Sequence, residues 1–162
     1  MAKKQAVHKT NAIRIVQAKK IPFSVYEYEA PDGFLDGVSV AQQVGQNVDQ
    51  VFKTLVLQGA SREYYVCVIP VAKELNLKKA AKHFGEKNIA MIPHRDITKV
   101  TGYIKGGCSP IGMKKLFATA VHESAASFET IIFSAGKVGL QMELPVPALL
   151  EIAQAQLADI VD

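Results

Sequence analysis

The sequence contains few of the residues from which disulfide frameworks and metal centres are built. It has two cysteines, Cys67 and Cys108, and its four histidines are scattered at positions 8, 83, 94 and 122. A structural zinc site needs four ligands at short spacing, and many zinc hydrolases carry two histidines one helical turn apart. The sequence has neither pattern, so we predict no disulfide framework, no metal and no cofactor.

Long apolar runs are also absent. No stretch approaches the roughly 20 apolar residues of a transmembrane helix, and residues 1–9 are basic and polar, unlike a secretory signal. The chain has 162 residues, of which 49% are hydrophobic and 21% charged. These values are typical of a soluble globular protein. We therefore expect one domain spanning residues 1–162, located in the cytoplasm and not bound to a membrane.

The net charge is a mild +4, which permits a polyanionic partner without requiring one. Four lysines cluster around one predicted helix, at positions 78, 79, 82 and 87. Such a cluster is either an ordinary solvated face or a surface suited to an RNA backbone.

Helix and strand patterns alternate irregularly along the chain. Helices are predicted from Thr10 to about Lys19, from a cap at Ser39 to Gly45, from a cap at Asn76 to Gly85, over residues 96–100, and from Pro147 onward with Leu149, Leu150, Ala153 and Leu157 on one side. Strands are predicted over residues 23–28, 51–57, 64–70, 89–92, 117–122, 130–134 and 140–144, with a loop over residues 30–37. Without regular βαβ alternation, this order predicts a mixed α/β fold in which helices flank six or seven strands. The periodicity does not distinguish a closed barrel from an open sheet.

Lys53 interrupts an otherwise apolar strand. Period-two alternation places it on one face with Val51, Leu55 and Leu57. One interpretation is an edge-strand lysine that reaches water and blocks aggregation. The other is an ammonium at the mouth of a pocket, binding a phosphate or an ester oxygen.

A glycine-rich loop runs from Thr101 to Gly112. Its glycines could let backbone N–H groups converge on an anion, or they could form a purely structural turn. The spacing from Gly107 to Gly112 resembles a P-loop, but Met113 stands where the lysine is required, so an NTPase is rejected. Cys108 could be a nucleophile in this loop, but no partnered base is evident, and a small buried thiol is the alternative.

These motifs together resemble the YbaK/EbsC family, the free-standing relatives of the editing domain of prolyl-tRNA synthetases. The similarity rests on residues 52–55 (Phe-Lys-Thr-Leu), residues 76–81, and the loop of residues 101–112, and it extends from residue 21 to the end of the chain. The Thr101-Gly102-Tyr103 start and the turn of residues 134–140 favour the Cys-tRNA(Pro) deacylase branch over the alanine-editing branch.

The resemblance implies a mixed α/β fold around a barrel-like sheet, and release of cysteine from mischarged Cys-tRNA(Pro), with Cys-tRNA(Cys) as a second substrate. It implies mischarged tRNA as a partner and a prolyl-tRNA synthetase as another. In this family the substrate's own thiol is thought to attack its ester carbonyl. The residues so implied are Lys53, Gly106 and Gly107 as catalytic groups and Tyr28, Thr54, Ser109, Pro110 and Gly136 as substrate-binding groups. The alternatives are a deacylase for another small amino acid that uses activated water, and a non-catalytic module that binds tRNA or a synthetase.

Overall fold

The computed structural model describes residues 9–30 and 35–162. The helices are α1 (Asn11–Ala18), α2 (Gly37–Val44), α3 (Leu77–Phe84), α4 (Ile97–Thr101) and α5 (Val146–Ala153). The strands are β1 (Ser24–Glu27), β2 (Phe52–Gly59), β3 (Tyr64–Pro70), β4 (Ile89–Met91), β5 (Ala118–His122), β6 (Thr130–Lys137), β7 (Leu140–Pro145) and β8 (Ala155–Ala158). The predicted basic N-terminal segment, apart from Lys9, and the centre of the loop predicted over residues 30–37 lie outside the described residues.

The strands form two sheets. The smaller is antiparallel in the order β1-β7-β6, and the larger is mixed in the order β4-β2-β3-β5-β8. In the larger sheet β2 runs antiparallel to both β3 and β4, whereas β3, β5 and β8 are parallel. A parallel bridge between Val51 and Ile132 joins the sheets at the start of β2. The mixed α/β class is therefore confirmed, with eight strands in the described residues and two sheets instead of a closed barrel.

Two apolar cores lie on opposite faces of the larger sheet. The first fills the space between the sheets and is covered by α1 and α5, with Phe133, Met142 and Leu149 fully buried. The second lies under α3, where Leu57 and Ile69 pack against the alanines of the helix. Each such side chain contributes about 1.5–3 kcal/mol by leaving water. These cores hold β2 rigidly between them.

Side-chain caps fix the helix starts. Asn76 Oδ1 accepts from the Lys79 N–H at 2.9 Å, and Gly85 ends that helix with φ of 75°, both as predicted. The predicted cap of α2 is wrong: Asp36 is the cap, and Ser39 donates its N–H to Asp36 Oδ1 at 2.9 Å. Ser39 lies in the first turn of α2. Serine and aspartate both favour the cap position, so the sequence pattern placed the cap three residues too late.

The last predicted helix is too long. It ends at Ala153, Gln154 takes a left-handed conformation with φ of 49°, and Leu157 belongs to strand β8. The apolar spacing continued the helical period by coincidence. Residues 155–158 instead form their backbone hydrogen bonds with β5. The local apolar spacing carries no information about this distant partner.

No helix in the described ranges is long and apolar enough to cross a membrane.

Candidate functional site

A pocket of about 480 Å³ opens beside the middle of β2. One side of β2 pairs with β3 along its length, but the other side pairs with β4 only over Leu57–Gly59 and bridges β6 only at Val51. Between these contacts, at residues 53–55, the described strands leave a gap. The pocket occupies that gap, and its walls come from β2, α2, the segment after β4 and the glycine loop.

Lys53 lines this pocket and is half-buried. Its strand is the second of the five in the sheet, so Lys53 does not sit on an outer strand as the edge-lysine interpretation requires. Among the carboxylates of the described residues, none lies within ion-pair distance of its ammonium. A half-buried cation without a counter-ion is suited to bind an anionic or carbonyl oxygen.

Thr54 also lines the pocket, and its hydroxyl is buried without a hydrogen-bond partner in the described structure. A buried hydroxyl of this kind costs about 1–3 kcal/mol relative to a paired one. A ligand that enters the pocket can supply the missing partner. Tyr28, which directly follows β1, also lines the pocket.

The glycine loop reaches the pocket through Lys105, Gly106 and Cys108. Gly107 does not line it. The Gly107 N–H donates to the Ile104 carbonyl at 3.0 Å, and a Cβ at this position would lie 2.8 Å from the backbone nitrogen of Val138. Gly107 is thus needed for the close approach of two loops, and its amide already has an acceptor.

The remaining predicted substrate-binding residues are not among those that line the pocket. Ser109 and Pro110 are buried, and Ser109 Oγ accepts from the Ile111 N–H at 3.3 Å. The Tyr103 hydroxyl donates to the Ile111 carbonyl at 2.6 Å. Gly136 has φ of 104°, and a Cβ there would lie 2.8 Å from the Tyr103 ring. The structure therefore brings Ser109, Pro110 and Gly136 together as a framework that holds the glycine loop, not as part of the pocket lining.

Both cysteines are poor nucleophiles in this fold. Burial raises the pKa of the Cys108 thiol to about 11, and Cys108 Sγ–H donates weakly to Thr101 Oγ1 at 3.9 Å. Burial also raises the pKa of Cys67 to about 12. A thiol that stays protonated at neutral pH is a weak nucleophile. Within residues 9–30 and 35–162, no group of three His, Cys, Asp or Glu side chains is arranged to hold a metal ion.

Asp36 is an acidic residue that lines the pocket. Its two carboxylate oxygens accept from the N–H and the hydroxyl of Ser39 at 2.9 and 3.0 Å. These hydrogen bonds lower the pKa of the carboxyl. A carboxylate held ionised by the helix that it caps is a weak general base.

Sequence reasoning did not assign three polar residues of the pocket, namely His94, Ser134 and Gln141. Gln141 is 5% exposed, and its side-chain oxygen accepts from Gln46 Nε2 at 2.8 Å. Gln141 lies on the face of β7 opposite Leu140, Met142 and Leu144, which belong to the first core. Sequence alternation does not indicate that this opposite face forms a pocket wall. That information depends on the packing of α2 against the smaller sheet.

Residues 36–152 match the family model of the aminoacyl-tRNA editing domain. The chain belongs to this family. The matched segment contains all of the pocket-lining residues named above except Tyr28.

Among curated proteins, the chain is 46% identical over 160 residues to EbsC of Enterococcus faecalis, covering 99% of this chain and 98% of that protein. EbsC carries the provisional name Cys-tRNA(Pro)/Cys-tRNA(Cys) deacylase. Among solved structures, a provisionally named trans-editing enzyme for prolyl-tRNA synthetase has a TM-score of 0.80 at 23% identity, covering 96% of this chain and 99% of the other. The hypothetical protein APE2540 has a TM-score of 0.84 at 20% identity, covering 94% of this chain and all of the other. These two structures share the fold.

Proposed function

We propose that this editing domain, as residues 1–162, releases cysteine from mischarged Cys-tRNA(Pro), and from Cys-tRNA(Cys), and acts in trans. The observation that carries the proposal is the 46% identity to EbsC over nearly the whole of both chains. The membership of the editing-domain family supports the same reaction class. Translation takes place in the cytoplasm, and the deacylase is proposed to act there.

Proofreading is physically needed because cysteine and proline have similar sizes. A pocket selects against a ligand that differs by about one methylene by only about 1–3 kcal/mol. A second site that tests a different property must supply the remaining selectivity. For cysteine, that property is the thiol.

The substrate thiol is the proposed nucleophile, and it attacks the ester carbonyl to close a thiolactone and expel the tRNA 3′ oxygen. Two properties of the pocket support this assignment. The Cys108 thiol is held protonated, and hydrogen bonds from Ser39 lower the pKa of the Asp36 carboxyl. An intramolecular attack needs only correct positioning, which can contribute about 7–11 kcal/mol at best.

In this proposal Lys53 binds the phosphate or ribose end of the terminal adenosine. The supporting observation is a half-buried ammonium without a described carboxylate partner. The unpaired Thr54 hydroxyl and Tyr28 bind the aminoacyl group, and Gly106 presents its backbone to the carbonyl. Because the Gly107 amide donates to Ile104, we assign Gly107 the support of the loop.

The proposal is tested with tRNA(Pro) and tRNA(Cys) charged separately with cysteine, alanine and serine. We expect fast release of cysteine from both tRNAs and little release of alanine. Release of alanine or serine as fast as cysteine would instead indicate a deacylase that activates water. Binding of tRNA without release of any amino acid would indicate a non-catalytic module. Addition of a prolyl-tRNA synthetase tests the implied partner, which we expect to sharpen selectivity for tRNA(Pro).

A further inference from the structure

Positive charge is concentrated in one segment of the chain. Residues 87–122 contain six of the nineteen Lys and Arg residues but only one of the fifteen Asp and Glu residues, Asp96. The segment therefore has a net charge of +5, and the rest of the chain has −1. The mild overall charge conceals a strongly basic region.

That segment forms one wall of the pocket. Met91, Ile92, His94, Ile97 and the glycine loop all line the cavity. The same segment carries five basic residues on or beside this wall, and we call them the basic rim: Arg95, Lys99, Lys105, Lys114 and Lys115. Lys105 also lines the cavity. All five are exposed.

Local contacts hold part of the basic rim together at the end of α4. The Lys114 ammonium donates to the Lys99 carbonyl at 3.1 Å, and the Lys114 N–H donates to the Thr101 carbonyl at 2.9 Å. The Lys99 side chain is 76% exposed, and its only described ion pair is the loose 3.8 Å contact with Asp96. The Lys99 and Lys114 ammonium groups therefore remain available to a polyanion.

The lysines of α3 are different. Lys79 pairs with Asp159 at 2.9 Å and donates to the Val161 carbonyl at 2.8 Å. Around the helix, the four carboxylates of Glu74, Glu86, Asp159 and Asp162 accompany the three lysines of α3 and the flanking Lys73 and Lys87, a net charge of about +1. The segment bearing Asp159 and Asp162 is tied to α3, because Asn76 Nδ2 donates to Asp162 Oδ1 at 3.0 Å. The α3 face is nearly neutral and is a poor RNA surface.

The other wall of the pocket is not basic. It carries Asp36, and beyond Tyr28 a neighbouring cleft is lined by Glu27 and Glu29 as well as Lys137. An approaching phosphodiester chain is repelled by these carboxylates and attracted to the opposite wall. The charge is therefore asymmetric across the pocket mouth.

We propose that the acceptor end of tRNA leaves the pocket across the basic rim, with its phosphates on Arg95, Lys99, Lys114 and Lys115. This inference rests on the proposed function, and it specifies the face that the RNA uses. Met91, on the pocket wall, and Ile104, in the glycine loop, are 51% and 55% exposed and offer unstacked bases apolar contacts. The α3 face makes no RNA contact.

The test measures binding of uncharged tRNA(Pro) as a function of salt concentration. The rim variant is Lys99→Gln with Lys115→Gln, and the matched control is Lys78→Gln with Lys82→Gln on α3. Each lost phosphate contact lowers the slope of log K against log salt by about 0.7–0.9. We expect the rim variant to lose about 1.4–1.8 of slope and about tenfold or more in affinity at 0.1 M salt. The control keeps the wild-type slope.

Equal slopes for the rim variant and the wild type would overturn the proposal, as would an equal loss in the control or no binding of tRNA by the wild type. All four substituted lysines are exposed, so thermal unfolding of the two variants should match. Cleavage of a cysteine 3′ ester of adenosine monophosphate by the wild type tests the proposed function separately. If that ester is cleaved while the rim variant keeps its slope, only the RNA path is wrong. If the salt slopes behave as expected but the ester is stable, the deacylase proposal fails.

Discussion

The middle of β2 and the framework behind the glycine loop differ in how their polar groups are satisfied. In the framework, the Thr101 hydroxyl donates to the Ile97 carbonyl at 2.8 Å and accepts from the Tyr103 N–H at 3.0 Å. In β2, the Lys53 ammonium has no ion pair and the Thr54 hydroxyl no hydrogen bond within the described residues. A paired polar group stabilises the fold, whereas an unpaired one costs stability and is available to a ligand. Residues with paired polar groups, such as Thr101, therefore support the site, whereas Lys53 and Thr54 are available to bind the substrate.

The largest expected effect is at Lys53. Lys53→Ala should lower single-turnover deacylation by about 10²–10³-fold, which corresponds to about 3–4 kcal/mol of transition-state stabilisation. The melting temperature should change little, because the ammonium has no described ion pair to lose. Lys53→Arg keeps the charge and serves as the control. Near-normal turnover of Lys53→Ala would show that Lys53 is only a solvated strand residue.

Gly107 should behave as a framework residue. In Gly107→Ala the new Cβ would lie 2.8 Å from the Val138 nitrogen, which is a backbone atom and cannot move easily. We expect a loss of about 1–3 kcal/mol in the free energy of unfolding, with activity lost in parallel. Denaturant unfolding measures the first and deacylation the second. Loss of activity at unchanged stability would indicate that Gly107 takes a direct part in the reaction.

Two threonines give a matched pair. Thr54→Val removes an unpaired hydroxyl, so stability should stay equal or rise slightly, while kcat/KM falls about tenfold as a substrate hydrogen bond is lost. Thr101→Val removes a paired hydroxyl and leaves the Tyr103 N–H without its acceptor, so the free energy of unfolding should fall by about 1–3 kcal/mol. Thermal unfolding and kinetics on both variants check this contrast. A destabilised Thr54→Val variant together with a Thr101→Val variant of normal stability would contradict the distinction between the two regions.

Cys108 should have the smallest effect. It lines the pocket, but its pKa of about 11 keeps the thiol protonated through the neutral range. Cys108→Ala should keep activity within a few-fold, and its pH–rate profile should match that of the wild type. Because the raised pKa favours the neutral thiol in the fold, its contribution to stability is present below about pH 9 and is lost as pH rises toward 11. An almost inactive Cys108→Ala variant with normal melting would indicate a cysteine nucleophile.

Much of the fold follows from local pattern. The strands at 64–70 and 140–144 and the Asn76 cap are local signals, and the structure confirms them. Strand β8 was missed because its pairing partner, β5, is distant in sequence and its own pattern continued a helix. The division into two sheets depends on which strand edges meet, and local periodicity carries no such information.

The site was predictable in its residue types and only partly in its geometry. Lys53 was predicted because it is a charged residue in an apolar strand. The loop was predicted because its closely spaced glycines allow backbone conformations that other residues rarely adopt. The sequence could not indicate that the Gly107 amide is already bonded to Ile104, because that depends on the turn conformation. Gln141 and Ser134 became pocket residues only through the packing of α2 over the smaller sheet.

The substrate-thiol mechanism is tested most directly by single-turnover deacylation of cysteinyl- and seryl-tRNA(Pro), with trapping of early products. The two side chains are nearly isosteric, so binding alone separates them modestly. A thiol is a few per cent ionised near neutrality and is far more nucleophilic than a hydroxyl. Attack by the substrate thiol predicts much faster release of cysteine, a rate that rises with pH as the thiol ionises, and a thiolactone among the first products. Equal rates for the two esters, or free cysteine with no cyclic product, would contradict it and indicate an enzyme-activated water.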